Sequence, residues 1–292
     1  MSVPALFALL ASCLMWGTTG VVASFMTPDV STFAIGAFTM GVGGAILAAI
    51  TWRDVRAAWA ISAARSWILF GGLGVLVYPL AFYTGMDLIG VAVGNSIALG
   101  SGPLFAGLIE WVATRQVPSA RWFIALVVAS AGLVCVAVAR GGDGGGSLAG
   151  IGFGVLAGIA YALYSVSGSR TIATGANFRG AMGAVFGMGA IPLLVVLALT
   201  GAPLFAEPSN LARGAYLALG PLVIAYLFFV VGLNLSGVFE VGGRLAAIVG
   251  DDPVMRATVV TRTGETTYTT AQRWDTLAPR LQHFAQPSRF AF

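Results

Sequence analysis

The chain has 292 residues, of which 58% are hydrophobic and only 9% charged, and its mean hydropathy is +0.91. A soluble domain carries about 25% charged residues, so composition excludes that class and points to lipid as the solvent. The small net charge of +4 comes from 15 basic residues, all Arg; it fits loops at a lipid surface and gives no reason to expect nucleic acid as a partner.

Charged residues interrupt the chain so rarely that eight windows free of them remain, at 1–28, 30–52, 66–86, 88–109, 122–139, 144–169, 180–206 and 214–239. A helix crosses the hydrocarbon core with about 20 apolar residues, and about 17 is the lower limit. All eight windows pass, 122–139 narrowly, and they are numbered here as spans 1 to 8. The expected fold is therefore all-α, a polytopic membrane helical bundle of about eight spans followed by a C-terminal tail. In span 1, Leu10-Ala11-Ser12-Cys13 has the look of a lipoprotein cleavage site, but nothing basic precedes it and apolar sequence continues to Met26. A cleaved signal needs a basic start and a short apolar core, so span 1 is read as an uncleaved anchor. Cys13 and Cys135 have no metal or disulfide spacing and are expected to be small buried apolar residues.

Seven Arg residues (53, 56, 65, 115, 121, 170 and 179) fall in the loops after spans 2, 4 and 6, whereas the other loops hold only Arg140 and Arg213. By the positive-inside rule this places the N-terminus and the C-terminal tail in the cytoplasm of a multi-pass cell-membrane protein. No charge lies in the middle of a span. Chemistry at depth therefore falls to uncharged groups: Trp16 in span 1, Tyr78 and Tyr83 in span 3, Tyr161 and Tyr164 in span 6, and Tyr226 in span 8. Each could bind a solute or sit as an interfacial anchor. In span 4, Gly90, Gly94, Ala98, Gly102 and Ala106 recur every fourth residue, a small-residue seam suited to close helix contact. Beside it, Asn95 and Ser96 are candidate solute contacts, with a helix-to-helix hydrogen bond as the alternative for Asn95. Glu110 ends the seam and is expected to pair with Arg115, as an interfacial ion pair or a coupling group. Gly150, Gly154 and Gly158 repeat the spacing in span 6. Pro79, Pro103, Pro192 and Pro221 mark four candidate hinges.

Shifting the chain by 147 positions lays Gly85–Val91 over Gly232–Val238. That period holds five spans, an odd number, so the second copy lies upside down relative to the first. Inverted repeats of this kind surround a midplane cavity in transporters.

Four segments carry a resemblance to a known family: LFALLASCLMWGTTGV in span 1, SIALGSGPLFAGLIEW in span 4, RQVPSARWFIALVVASAGLV leading through span 5, and AYLALGPLVIAYLFFVVGL in span 8. In order and spacing the chain resembles the EamA-type carriers of the drug/metabolite transporter superfamily, over about residues 5–238. The resemblance implies ten helices in two inverted five-helix copies, with spans 1, 3, 6 and 8 around the cavity. Two departures stand out. A family Glu before the loop that opens span 5 is replaced by Gln116, and the ninth and tenth helices are missing. Residues 239–292 instead hold 11 of the chain's 26 charged residues. The expected division is 1–140 as the first repeat, 141–238 as an incomplete second repeat of three helices, and 239–292 as a polar tail, frame-changed and poorly ordered. Within it, Val259–Thr270 could pair as a hairpin around Gly264. Trp274, Leu277, Leu281 and Phe284 would share a helical face broken at Pro279, and His283 is a solvated bystander.

These readings point to a carrier of small organic solutes, neutral or weakly polar, that works by alternating access. A truncated remnant or membrane scaffold is the alternative. An intramembrane enzyme is disfavoured: no span holds His or two acids, and no HExxH motif occurs. No cofactor or metal is expected. The partners are a small-molecule solute and the lipid bilayer, and a homodimer stays open.

Overall fold

The structure, a computed structural model, describes residues 3–115, 122–124, 127–128, 131–132, 147–235, 244–251, 254–262 and 268–276; Thr114 and everything from 232 onward are described by backbone alone. Seven helices among these are long and apolar enough to cross a membrane: Val3–Ala23, Thr32–Ile50, Ser62–Ile89, Val91–Ala113, Leu148–Ala173, Phe178–Thr200 and Pro208–Val231. They correspond to spans 1–4 and 6–8. The window 122–139, with Cys135 in it, lies mostly outside the described residues, as do Gln116, Pro279, Leu281, His283 and Phe284.

The chain divides into two compact units, residues 12–227 and residues 1–11 with 228–292. The first is the helical bundle. Lipid tails are as apolar as Leu, so no hydrophobic force drives one span onto another; packing has to come from shape. The small-residue seams provide it. Span 4 lies against span 6, with Ile97 where a side chain on Gly154 would be and Ser101 with the Ala98 carbonyl against Gly158. A Cβ on Gly102 would stand 2.7 Å from the Tyr161 ring. Span 3 packs along span 6 as closely: a Cβ on Gly74 would sit 2.7 Å from the Ala160 carbonyl oxygen and 2.8 Å from the Tyr164 nitrogen. At Gly90 the chain turns from span 3 into span 4 with φ of 84°, a value in the region that glycine adopts without strain. The bundle centre is filled by Phe186, Leu193, Leu217, Val75 and Val185, all fully buried.

Two spans depart from the regular α-helix. Residues Ala37–Val42 of span 2 and Ala218–Ile224 of span 8 form π-helical turns. Pro221 lies within the second, where its missing N–H removes one rung of the ladder; wide turns of this kind are the usual adjustment. Pro79, Pro103 and Pro192 sit inside continuous helices. An amphipathic helix, Trp52–Ala60, follows span 2, with Arg56 stacked over the Trp52 ring at 4.8 Å. Cys13 is exposed on span 1, which corrects the expectation of a buried thiol: the first span presents that face outward.

In the second unit, β1 (Arg244–Asp251), β2 (Val254–Arg262) and β3 (Tyr268–Thr276) form an antiparallel sheet in the order β1-β2-β3. The β-branched and Thr-rich composition of these stretches favours strand pairing. Trp274 pairs with Ala257 in the β2–β3 ladder instead of lying on a helix, and Gly264 lies outside the described residues.

Candidate functional site

Within residues 12–227 the spans line a partly open cavity of about 210 Å³. Trp16 and Thr19 reach it from span 1, and Thr39 and Met40 from the π-helical turn of span 2. Tyr78, Pro79, Phe82 and Tyr83 come from span 3, Asn95 and Leu99 from span 4, and Tyr161 and Tyr164 from span 6. Pro221, Leu222 and Tyr226 complete it from span 8. Seven of these fifteen residues are aromatic, and none is an acid, a His or an Arg. Its electrostatics are therefore those of π-faces, hydroxyls and one amide.

The aromatic residues form a continuous network. Tyr78 stacks on Phe82 at 5.2 Å and meets Tyr164 edge-on at 5.6 Å. Tyr161 contacts both Tyr78 and Tyr164, at 5.9 and 5.2 Å. Phe186 lies behind the wall and joins Tyr164 to Tyr226 at 5.5 and 5.1 Å. Such pairs hold one another's orientation and are worth about 0.5–1.5 kcal/mol each beyond burial. The Tyr83 hydroxyl lies 3.4 Å from Thr39 Oγ1, which itself donates to the Ile35 carbonyl at 2.8 Å.

Span 1 is held to span 8 by bonds that advance in step along the two antiparallel helices. Ser12 Oγ donates to the Ala225 carbonyl at 2.9 Å, and Trp16 Nε1 donates to the Pro221 carbonyl at 2.8 Å. The Thr18 and Tyr216 hydroxyls are 2.8 Å apart, and Asn210 Nδ2 donates to Thr27 Oγ1 at 2.7 Å. The Pro221 carbonyl belongs to the π-helical turn, so Trp16 is aimed by the irregularity of span 8 and meets Tyr226 edge-on at 5.4 Å.

Of the residues singled out from sequence, Trp16, Tyr78, Tyr83, Asn95, Tyr161, Tyr164 and Tyr226 share this cavity, with Pro79 and Pro221 in its wall. Pro103 and Pro192 are not in the wall. Ser96 is not either: its hydroxyl donates to the Ala92 carbonyl in its own helix at 2.7 Å. Asn95 is exposed and has no hydrogen-bond partner among the described residues. Glu110 pairs with Arg170 of span 6, whose Nε donates to Glu110 Oε2 at 3.3 Å. That partner, sixty positions away, is one that spacing within span 4 does not reveal; Arg115 forms the left-handed cap of the helix, with φ of 58°. Arg170 also lies over the Trp67 ring at 5.9 Å. A second polar bridge joins Asp54 to Asn177 at 2.8 Å and to Arg179 at 3.6 Å. Thr19, Thr39, Met40, Phe82, Leu99 and Leu222 also line it and carry no signal in the sequence, since an apolar or Thr residue inside a span gives none by itself. Among the described residues no three His, Cys, Asp or Glu cluster as metal ligands.

A multi-span helical bundle around one uncharged central cavity is the architecture of a membrane transporter. Residues 3–138 match the EamA-like transporter family. The chain is also similar to a protein of Bacillus subtilis (strain 168) named "Uncharacterized transporter YwfM", at 29% identity over 234 residues, covering 78% of this chain and 76% of that one. No solved structure matches. Over residues 3–138 and over the 234 residues aligned with that transporter, the chain is similar to EamA-type transporters.

Proposed function

We propose that this protein carries small organic solutes across the cell membrane by alternating access. The observation that carries the reading is the cavity: residues from six spans converge on one space, and among the described residues none of those lining it is an acid, a His or an Arg. Binding and release without covalent chemistry is what such a site can do. In this reading residues 1–140 and 141–238 are two inverted copies that rock about the cavity, and the second lacks its last two helices. The Arg-rich loops, the N-terminus and the tail face the cytoplasm. Purified protein in liposomes should show saturable solute uptake or counterflow. Absence of movement of every metabolite and dye pool tested refutes the proposal. Cysteines placed at 56 and 174 in a background without Cys13 and Cys135 should resist an impermeant maleimide in intact cells; labelling at both would invert the orientation.

One observation favours a second reading, a non-transporting remnant or membrane scaffold. Past Val238 the first copy's register continues as an apolar helix, whereas this chain turns to Phe239-Glu240 and the charged tail. If the locus holds a second reading frame encoding two apolar helices beyond codon 238, and only the ten-helix product transports, the scaffold or remnant reading prevails for this form.

A further inference from the structure

The amphipathic helix Trp52–Ala60 is set off from span 2 at Thr51, with φ −101° and ψ 19°, and from span 3 at the extended Ile61. At 3.6 residues per turn its residues separate onto two faces. Thr51, Val55, Ala58 and Trp59 fall on one face, and that face is covered by protein. A Cβ on Gly183 of span 7 would meet Thr51 and Val55, and Ala58 is buried in one cluster with Ala64, Ile68, Ala181 and Ala184. Trp52, Arg53, Arg56, Ala57 and Ala60 fall on the other face, and all five are exposed. Asp54, the acid of this helix, falls on the covered side and is taken by Asn177 and Arg179. Arg53 and Arg56 are three residues apart, a spacing at which like charges repel, and neither forms an ion pair among the described residues. The Arg56 guanidinium rests over the Trp52 ring at 4.8 Å, and Arg65 closes the far end of the helix, its Nε donating to the Trp59 carbonyl at 3.0 Å. Immediately before this helix, Ile50 ends span 2 with 51% of its surface exposed, the same fraction as Trp52.

From this we infer that the outer face of the helix binds the headgroup of an anionic phospholipid. Arg53 and Arg56 donate to one phosphodiester, while Trp52 and Ile50 lie against the glycerol and the first acyl carbons. The chemistry matches on both counts. A guanidinium fork fits phosphate oxygens, and an anion between two arginines relieves their repulsion. Trp is enriched where lipid headgroups meet hydrocarbon. A free phosphate or a nucleic acid would satisfy the arginines but leave the exposed Ile50 and Trp52 without an apolar partner, so the occupant is a lipid. A zwitterionic headgroup brings its own cation and gains less from the pair. The inference is independent of the carrier reading, since no residue of the central cavity takes part.

The test uses full-length purified protein in neutral maltoside micelles, with brominated phosphatidylglycerol or brominated phosphatidylcholine as the quencher. The Trp52 signal is the difference between the wild type and Trp52→Phe. An arginine near an anionic lipid surface contributes about fivefold in affinity. Half-quenching should therefore need roughly twenty-fivefold less phosphatidylglycerol than phosphatidylcholine. Arg53→Gln combined with Arg56→Gln should bring the two lipids level and leave quenching by phosphatidylcholine unchanged. Raising salt from about 0.1 M to about 1 M shortens the screening length from about 10 Å to about 3 Å and should remove most of the preference. That reading uses the wild type and needs no variant to fold. Inorganic phosphate added at constant ionic strength should not displace the lipid. Equal quenching by the two lipids, a preference that survives the double substitution, or one indifferent to salt would each overturn the inference. Displacement by inorganic phosphate would overturn it too, by assigning the arginines to a free anion.

Discussion

Replacing Gly74 by alanine adds one methyl group at the closest approach of spans 3 and 6. The new Cβ would stand 2.7 Å from the Ala160 carbonyl oxygen, 2.8 Å from the Tyr164 nitrogen and 3.1 Å from the Tyr164 Cβ. Two of those three atoms are backbone, so no side chain can swing away and the helices themselves must separate. Overpacking of this kind costs about 1–3 kcal/mol. Against it, alanine is better than glycine inside a helix by about 0.5–1 kcal/mol. The net expectation is a destabilisation of about 0.5–2 kcal/mol together with a displaced Tyr164 ring. Gly152 on span 6 supplies the control, because a Cβ there meets nothing within 4 Å; Gly152→Ala should stabilise by about 0.5–1 kcal/mol. Reversible unfolding of both variants in mixed micelles, followed by helical circular dichroism, reads the difference. If the two substitutions shift stability in the same direction, the close-packed reading of spans 3 and 6 is wrong.

Three further outcomes follow from the same geometry. Trp16→Phe keeps a ring beside Tyr226 but removes the bond to the Pro221 carbonyl; a loss of about 0.6–1.7 kcal/mol is expected on unfolding, as for hydrogen bonds between membrane helices. Asn177→Ala removes both the cap on the Gly180 N–H at 2.7 Å and the bond to Asp54, which should cost about 0.5–2 kcal/mol in the same unfolding assay, whereas Asn177→Asp should keep the cap and lose the Asp54 contact. For the ion pair, Glu110→Arg and Arg170→Glu should each lower stability by about 0.2–1 kcal/mol, the range for half-exposed pairs, and the double swap should recover most of it; no recovery would show that the two side chains are not coupled.

Much of the bundle was legible because membrane helices are written in hydropathy. A run of about twenty apolar residues has few alternatives in lipid, where every backbone group must be satisfied within the helix. The seams of span 4 and span 6 were legible for a similar reason, since Gly and Ala every fourth residue line up on one face. What they face was not: Gly154 meeting Ile97, and Gly158 meeting Ser101, join residues 57 positions apart on two different helices. The same limit explains Glu110, whose partner Arg170 lies in another span. Ser96 looked as informative as its neighbour Asn95, yet a hydroxyl can bond to its own helix carbonyl whereas Asn95 points to the cavity.

By itself the sequence determined the solvent, the order of the seven described apolar spans, the absence of charge at their centres and the set of aromatic residues from which a site could be made. These are properties of composition and of one-dimensional period, and lipid enforces them span by span. Only the tertiary structure decided which tyrosines meet, that Trp16 is aimed by a carbonyl of the π-helical turn in span 8, and that Asn95 lines the same space as a group of rings. Those depend on helix rotation and depth, which are set by contacts between distant spans and leave no periodic trace in the chain.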